Sequence, residues 1–377
     1  MEILDSTLRE GELTADVSFS REQKLEIASL LDAFGVDIIE AGQPFVSQRL
    51  KEDTKAVASL GLNAGILGHA RALTQDIDLV LQSDCNWVGI FMTTSDIGME
   101  TKYNLTKEQL IDKCLFAVDY AKSHGLKVRF TPEDGTRTDR DFLLKIIHEM
   151  KNIGVNRVSI ADTTGGMNPS KMKELISFIL KSVKIDLNVH CHNDLGLATA
   201  NSLAAFEAGA VLSDVTVNGM GERTGITSLS ELTVSLRQFY PNVGKKWNLE
   251  LLPELSDRVE RFSGFRIAKN TPVVGSNAFT HKAGLHTNAV LKNPASYEII
   301  DPKTLNRERT IVVGAFAGRM SLQKKLADMG CELSEDEFTN TFNFMKETNK
   351  RIESNSDLVK LIEESLNKNA VNICKNI

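Results

Sequence analysis

Two histidines spaced two apart, His190 and His192, and the adjacent pair Arg9–Glu10 are the residues best suited to carry chemistry in this sequence. In an extended segment, side chains two apart share one face, so both imidazoles can point the same way. Two imidazoles and one carboxylate make a common site for a divalent cation that keeps coordination positions open. Glu10 is the candidate carboxylate, and the Asn193-Asp194 that follows the His-Cys-His string favours metal binding over two packed or surface rings.

Further polar residues have two readings each. Arg9 supplies a cation either where an oxyanion develops or for a salt bridge that closes the fold. Glu133 could orient or deprotonate a partner, or cap a following helix. Thr163 could hold a substrate carboxylate or serve the turn in Ala161-Asp162-Thr163-Thr164-Gly165-Gly166. His69 and Arg129 add positive charge, which suits a substrate with an anionic tail. The glycines of Asn218-Gly219-Met220-Gly221 let backbone approach a ligand closely. His286 is either a lid residue carrying a general acid or base, or a surface histidine.

These groups need elements to position them. Eight short runs read as strands: Glu2–Ser6, Asp37–Ala41, Ala64–Gly68, Trp87–Met92, Lys127–Thr131, Arg157–Ala161, Asp186–His190 and Ser213–Val217. Each is followed by a helix-like stretch. From Ser20 to Phe34, Ser20 can cap, Gln23 stands three residues later, and Leu25, Ala28, Leu31 and Phe34 share a face. Strict alternation implies a parallel sheet. Eight such units within residues 1–245 predict a closed α/β fold, the (β/α)8 TIM barrel. The reactive residues then fall at the C-terminal ends of the strands, where barrel enzymes place their active sites. A linker and lid subdomain is expected over 246–310, and a mainly helical C-terminal subdomain over 311–377, with a possible strand at Arg307–Val313.

Composition narrows the setting. A chain of 377 residues with 42% hydrophobic and 25% charged residues is an ordinary globular composition. Its formal net charge of −6 offers no general attraction to nucleic acid or to an anionic membrane. No apolar run reaches the roughly 20 residues that span a bilayer. The five cysteines are scattered and show no CxxC pair, so neither a disulfide framework nor a thiolate metal site is expected, and a reducing cytoplasm is the predicted compartment.

Taken together, the motifs resemble a known family. Asp5 to Glu12 (DSTLREGE) is similar to the opening of the homocitrate synthase branch of the DRE-TIM metallolyases. His190 to Ala198 and Asn218 to Ile226 look like the second signature shared by homocitrate and isopropylmalate synthases. Phe279 to His286 and Asn293 to Glu298 resemble the homocitrate synthase lid region. The likeness implies metal-dependent Claisen condensation of acetyl-CoA with a 2-oxo acid bearing an anionic tail, 2-oxoglutarate first, giving homocitrate and CoA. It implies that Glu10, His190 and His192 bind a divalent cation (Mg, Mn or Zn) and that Arg9 stabilises the enolate or alkoxide oxygen. It gives Glu133 and His286 to proton transfer, with His286 delivered by the partner subunit of a domain-swapped homodimer. His69, Arg129, Thr131 and Thr163 match the positions that hold the distal carboxylate.

Leu13 departs from the family pattern by standing where a glutamine is usual, which leaves oxaloacetate, phosphonopyruvate and branched 2-oxo acids as alternative substrates. Asn188 stands where lysine-inhibited homocitrate synthases carry a glutamate. The alternative class is a metal-dependent C–C lyase of the aldolase or HMG-CoA lyase type. Such lyases generally lack the lid region that contains His286, which favours synthesis.

Overall fold

The computed structural model describes residues 1–348, 350, 352 and 354–367. It divides into two units, Met1–Ile267 and Ala268–Ile377. In the first, strands β1 (Glu2–Asp5), β2 (Ile38–Gly42), β3 (Gly65–Arg71), β4 (Trp87–Thr93), β5 (Lys127–Glu133), β6 (Arg157–Asp162), β7 (Leu187–Cys191) and β8 (Leu212–Val215) form a closed barrel. All pairings are parallel, and the ring closes where Glu2 to Asp5 lie beside Leu212 to Val215. The eight predicted strands are the eight observed ones, with ends moved by a few residues.

Local sequence explains the helices between them. In Arg21–Phe34, the Ser20 hydroxyl accepts from the Gln23 amide while the Gln23 side chain accepts from the Ser20 amide, closing a capping box. Gly35 ends that helix at φ 99°, a left-handed conformation that glycine adopts without strain. Ile27, Ala28, Leu31 and Phe34 are buried on its inner face. The same capping box recurs with Thr106 and Gln109, and Pro169 occupies the first turn of Pro169–Ser182.

The first unit runs past the boundary expected at residue 245. The helix Leu252–Ser263 packs back on the barrel: Arg258 Nη1 donates to Glu26 at 2.6 Å, and Asn218 exchanges hydrogen bonds with Ser256 at 2.6 and 3.0 Å. Its buried Leu252, Leu255 and Val259 place it with the barrel rather than with a lid.

The second unit has its own core, built from Val313, Leu322, Leu326, Phe338, Met345, Leu358 and Ile362 among others. Only Thr310–Ile311 of the predicted strand forms (β10), paired parallel with β9 (Thr280–His281). Helices Arg319–Asp328, Glu335–Glu347 and Asn355–Leu366 complete the expected helical tail. Cys85, Cys114 and Cys191 are free and buried, whereas Cys331 is disulfide-bonded, a pairing that local spacing does not reveal. Among the described residues no helix is long and apolar enough to cross a membrane.

Candidate active site

β1 ends in a tight turn that delivers two site residues. The amides of Arg9, Glu10 and Gly11 all donate to the Ser6 carbonyl, at 3.1, 2.7 and 3.1 Å. Glu10, 2% exposed, accepts from the Glu222 amide at 3.0 Å. The loop after β8 can close over Glu10 because Gly221 has no side chain. A Cβ there, at φ +150°, would lie 3.0 Å from both Cγ and Oε1 of Glu10. At Gly221 the close approach is therefore to a protein carboxylate.

His190 and His192 point to the same face of β7 and its continuation, with their Nε2 atoms 3.4 Å apart. One ligand atom each from Glu10, His190 and His192 lies within 4.8 Å of the others. Asp214 lies 2.9 Å from His190 Nδ1. With the proton on Nδ1, the lone pair of Nε2 faces the other ring. Burial and the neighbouring His190 push His192 down to about 3, so that ring is neutral near pH 7. Burial pushes Glu10 upward, but Arg9 and the two imidazoles outweigh it and hold the carboxyl below the usual range.

Two buried carboxylates that sequence reasoning missed organise the cations. Glu40 on β2, fully buried, accepts from Ser6 and from Arg9 Nε at 2.8 Å, and lies 2.8 Å from His69 Nδ1 and 3.2 Å from Arg129 Nη2. Asp214 on β8 receives Arg129 Nη1 on both oxygens at 3.0 Å and Asn188 Nδ2 at 2.9 Å. Burial opposes ionisation of Glu40, yet Arg9, His69 and Arg129 hold it well below the usual carboxylate range. Burial likewise lowers His69, which is stacked on Phe91 with centroids 4.6 Å apart. A lone acid inside an otherwise apolar parallel strand was the signal for both, since a buried carboxylate that stays ionised needs a cation.

The cavity above these groups, about 180 Å³, brings most of the predicted residues together. Arg9, Glu10, His69, Arg129, Thr131, Glu133, Thr163, His190 and His192 all line it, and Leu13, Gln43, Phe91 and Asp214 join them. Thr131 Oγ1 is buried and has no hydrogen-bond partner among the described residues. Thr163 Oγ1 accepts from the Asp134 amide at 2.9 Å, so it serves the turn while lining the cavity. Glu133 is held by Lys102 Nζ at 2.8 and 2.9 Å. His286 belongs to the second unit, on the helix Gly284–Lys292, exposed and packed against the Tyr297 ring at 4.2 Å.

Arg9 and Arg129 stand against Glu10, Glu40 and Asp214, leaving excess negative charge that a divalent cation would reverse. Two facing Nε2 atoms, a carboxylate held below its usual range, and Asp214 fixed against His190 Nδ1 fit such an ion.

A parallel barrel with this donor set at the C-terminal rim is the architecture of a metal-assisted barrel enzyme. Residues 1–259 match the HMGL-like family, and residues 273–353 match the homocitrate synthase post-HMGL domain. The homocitrate synthase of Pyrococcus horikoshii is 47% identical over 89% of this chain and 92% of that protein. The probable 2-isopropylmalate synthase of Methanopyrus kandleri is 43% identical over 92% of this chain and 69% of that protein. Among solved structures, hydroxymethylglutaryl-CoA lyase from Pseudomonas aeruginosa shares the fold, with TM-score 0.64 at 19% identity over 73% of this chain and 96% of that one. The chain belongs to the HMGL-like family, as a homocitrate synthase-like member, and that family is divalent-metal dependent.

Proposed function

We propose that this protein condenses acetyl-CoA with 2-oxoglutarate to give homocitrate and CoA. The observation that carries the reading is the convergence of Glu10, His190 and His192 within 4.8 Å, beside the Arg9 guanidinium and below a polar wall of His69, Arg129 and Thr131. The homocitrate synthases at 47% identity support the same substrate pair.

In this reading Glu10, His190 and His192 hold the ion, with Mg, Mn or Zn all suited to the donors. When bound, the metal polarises the keto group of the 2-oxo acid as a Lewis acid. Asp214 fixes the His190 tautomer. Arg9, held against Glu10 and Glu40, aims N–H groups where oxygen charge develops, usually the largest catalytic contribution. Glu133, oriented by Lys102, removes or relays the methyl proton of the thioester. His286 takes part in proton transfer from the partner subunit of a domain-swapped dimer. Thr131, with its unpartnered hydroxyl, and His69, Arg129 and Thr163 receive the distal carboxylate. Water then hydrolyses the thioester, releasing CoA.

Leu13 favours a second reading, condensation with a branched 2-oxo acid. It is apolar, 42% exposed and part of the cavity wall, and the Methanopyrus kandleri relative is named for isopropylmalate. A panel of 2-oxo acids assayed by free-CoA release separates the two. The proposal expects 2-oxoglutarate to give the highest kcat/KM; a higher value for 2-oxoisovalerate would overturn it in favour of the second reading.

A further inference from the structure

Arg223, in the loop after β8, is not among the residues that line the candidate active-site cavity. It nevertheless sits at φ 58°, in the left-handed region that a side chain enters at a cost. The geometry points to Arg223 as a positioning residue that ties three loops of the barrel rim together and so fixes the spacing of Glu10, His190 and His192. This role rests on the reading of those three as ion ligands and adds what holds them in place before an ion arrives.

One guanidinium reaches the other two loops. Its Nε and Nη2 donate to the two carboxylate oxygens of Asp194, in the loop after β7, at 2.8 and 2.9 Å. Nη2 also donates to the Thr163 carbonyl, in the loop after β6, at 2.7 Å. The planar fork of arginine suits this contact, and a lysine ammonium does not. Backbone reinforces the tie: the Asn193 amide donates to the Gly225 carbonyl at 3.0 Å, and His192 forms a bridge with Ile226. The β6 loop closes on the same carboxylate, since a Cβ on Gly165 would lie 2.6 Å from Asp194 Oδ2. The Arg223–Asp194 pair is partly exposed, but its two-pronged geometry and the third bond set it apart from a lone surface ion pair.

Both ends of the pair lie beside candidate ligands. Asp194 follows His192 by two residues, and Arg223 follows Glu222, whose amide donates to Glu10 at 3.0 Å. The pair therefore joins the segment that carries both imidazoles to the loop that holds the carboxylate. His192 depends on this tie more than His190 does. Asp214 orients His190 through Nδ1, whereas His192 Nδ1 is buried and has no hydrogen-bond partner among the described residues. With no side chain to fix it, the His192 ring is placed by its own backbone, and that backbone is what Arg223 secures.

The sign of the effect separates this role from plain electrostatics. A positive charge near the three ligands repels a cation, so deleting it with no loss of order would tighten metal binding. The proposal expects the opposite. In calorimetric titration of the chelator-treated whole protein with Mn²⁺ or Zn²⁺, Arg223→Gln should raise the Kd about tenfold. Arg223→Lys should raise it as well, because it keeps the charge and cannot bridge Asp194 and Thr163 together. Asp194→Asn combined with Arg223→Gln should lose no more affinity than the worse single variant, since both break one contact. Arg223→Gly guards against misfolding. It relieves the left-handed backbone, so its metal-free Tm should equal or exceed that of Arg223→Gln while its affinity falls as far. Wild-type or tighter binding in Arg223→Gln, or losses that add in the double variant, overturns the assignment. A wild-type protein that binds neither metal removes the ion reading and this role with it, a result distinct from equal binding by wild type and variant.

Discussion

Asp214 Oδ2 lies 2.9 Å from His190 Nδ1, while both Asp214 oxygens lie 3.0 Å from Arg129 Nη1. One buried carboxylate thus links the tautomer of a candidate metal ligand to the orientation of a guanidinium in the substrate wall. Replacing it with asparagine keeps the shape and removes the charge that favours the proton on Nδ1. Asp214→Asn is expected to weaken metal binding about 10- to 100-fold. Calorimetric titration of chelator-treated protein with Zn²⁺ or Mn²⁺ measures this, and equal affinities in the two proteins would contradict it.

Glu40 carries a heavier structural burden, since Ser6, Arg9, His69 and Arg129 all converge on it. Glu40→Gln leaves two buried guanidiniums short of a counter-charge. A loss of about 3 kcal/mol in urea unfolding is expected, because an unpaired buried charge is costly. Turnover should fall with it, as Arg9 loses the partner that aims it. Wild-type stability together with wild-type kcat would refute the role.

Asp5, at the end of β1, gives a pH signature. Burial raises its carboxyl from 3.8 to about 7, although the Thr7 amide donates to it at 2.8 Å. Between these values the folded protein keeps a proton that the unfolded chain has released. Stability from this group is therefore complete below pH 3.8 and is lost as the pH rises through about 7. The slope in that window is up to about 1.4 kcal/mol per pH unit. Asp5→Asn still accepts from Thr7 and should remove this component, so that urea unfolding at pH 5 and pH 8 differs less in the variant than in the wild type. Equal pH dependence would rule it out.

The barrel was legible because eight apolar runs alternate with helical faces, a pattern that follows from burying strands on both sides. The candidate metal ligands were legible because a His-Cys-His string and an Arg-Glu pair are local features. Glu40 and Asp214 escaped notice because each is a lone acid in an apolar strand, and its cations come from other strands. Asn218, in the loop after β8, bonds Ser256. That contact is long-range, as is the packing of Leu252–Ser263 on the barrel, and neither leaves a mark in periodicity. Leu13 was visible as a departure, but its place in the cavity wall depends on the fold.

The most direct measurement is a single-turnover reaction of acetyl-CoA with 2-oxoglutarate, before and after a divalent metal is restored to the chelator-treated protein. The account predicts that each 2-oxoglutarate consumed releases one CoA and yields one homocitrate, only in the reloaded protein and not in Glu10→Gln. CoA release without metal, or turnover in Glu10→Gln at the wild-type rate, would contradict it.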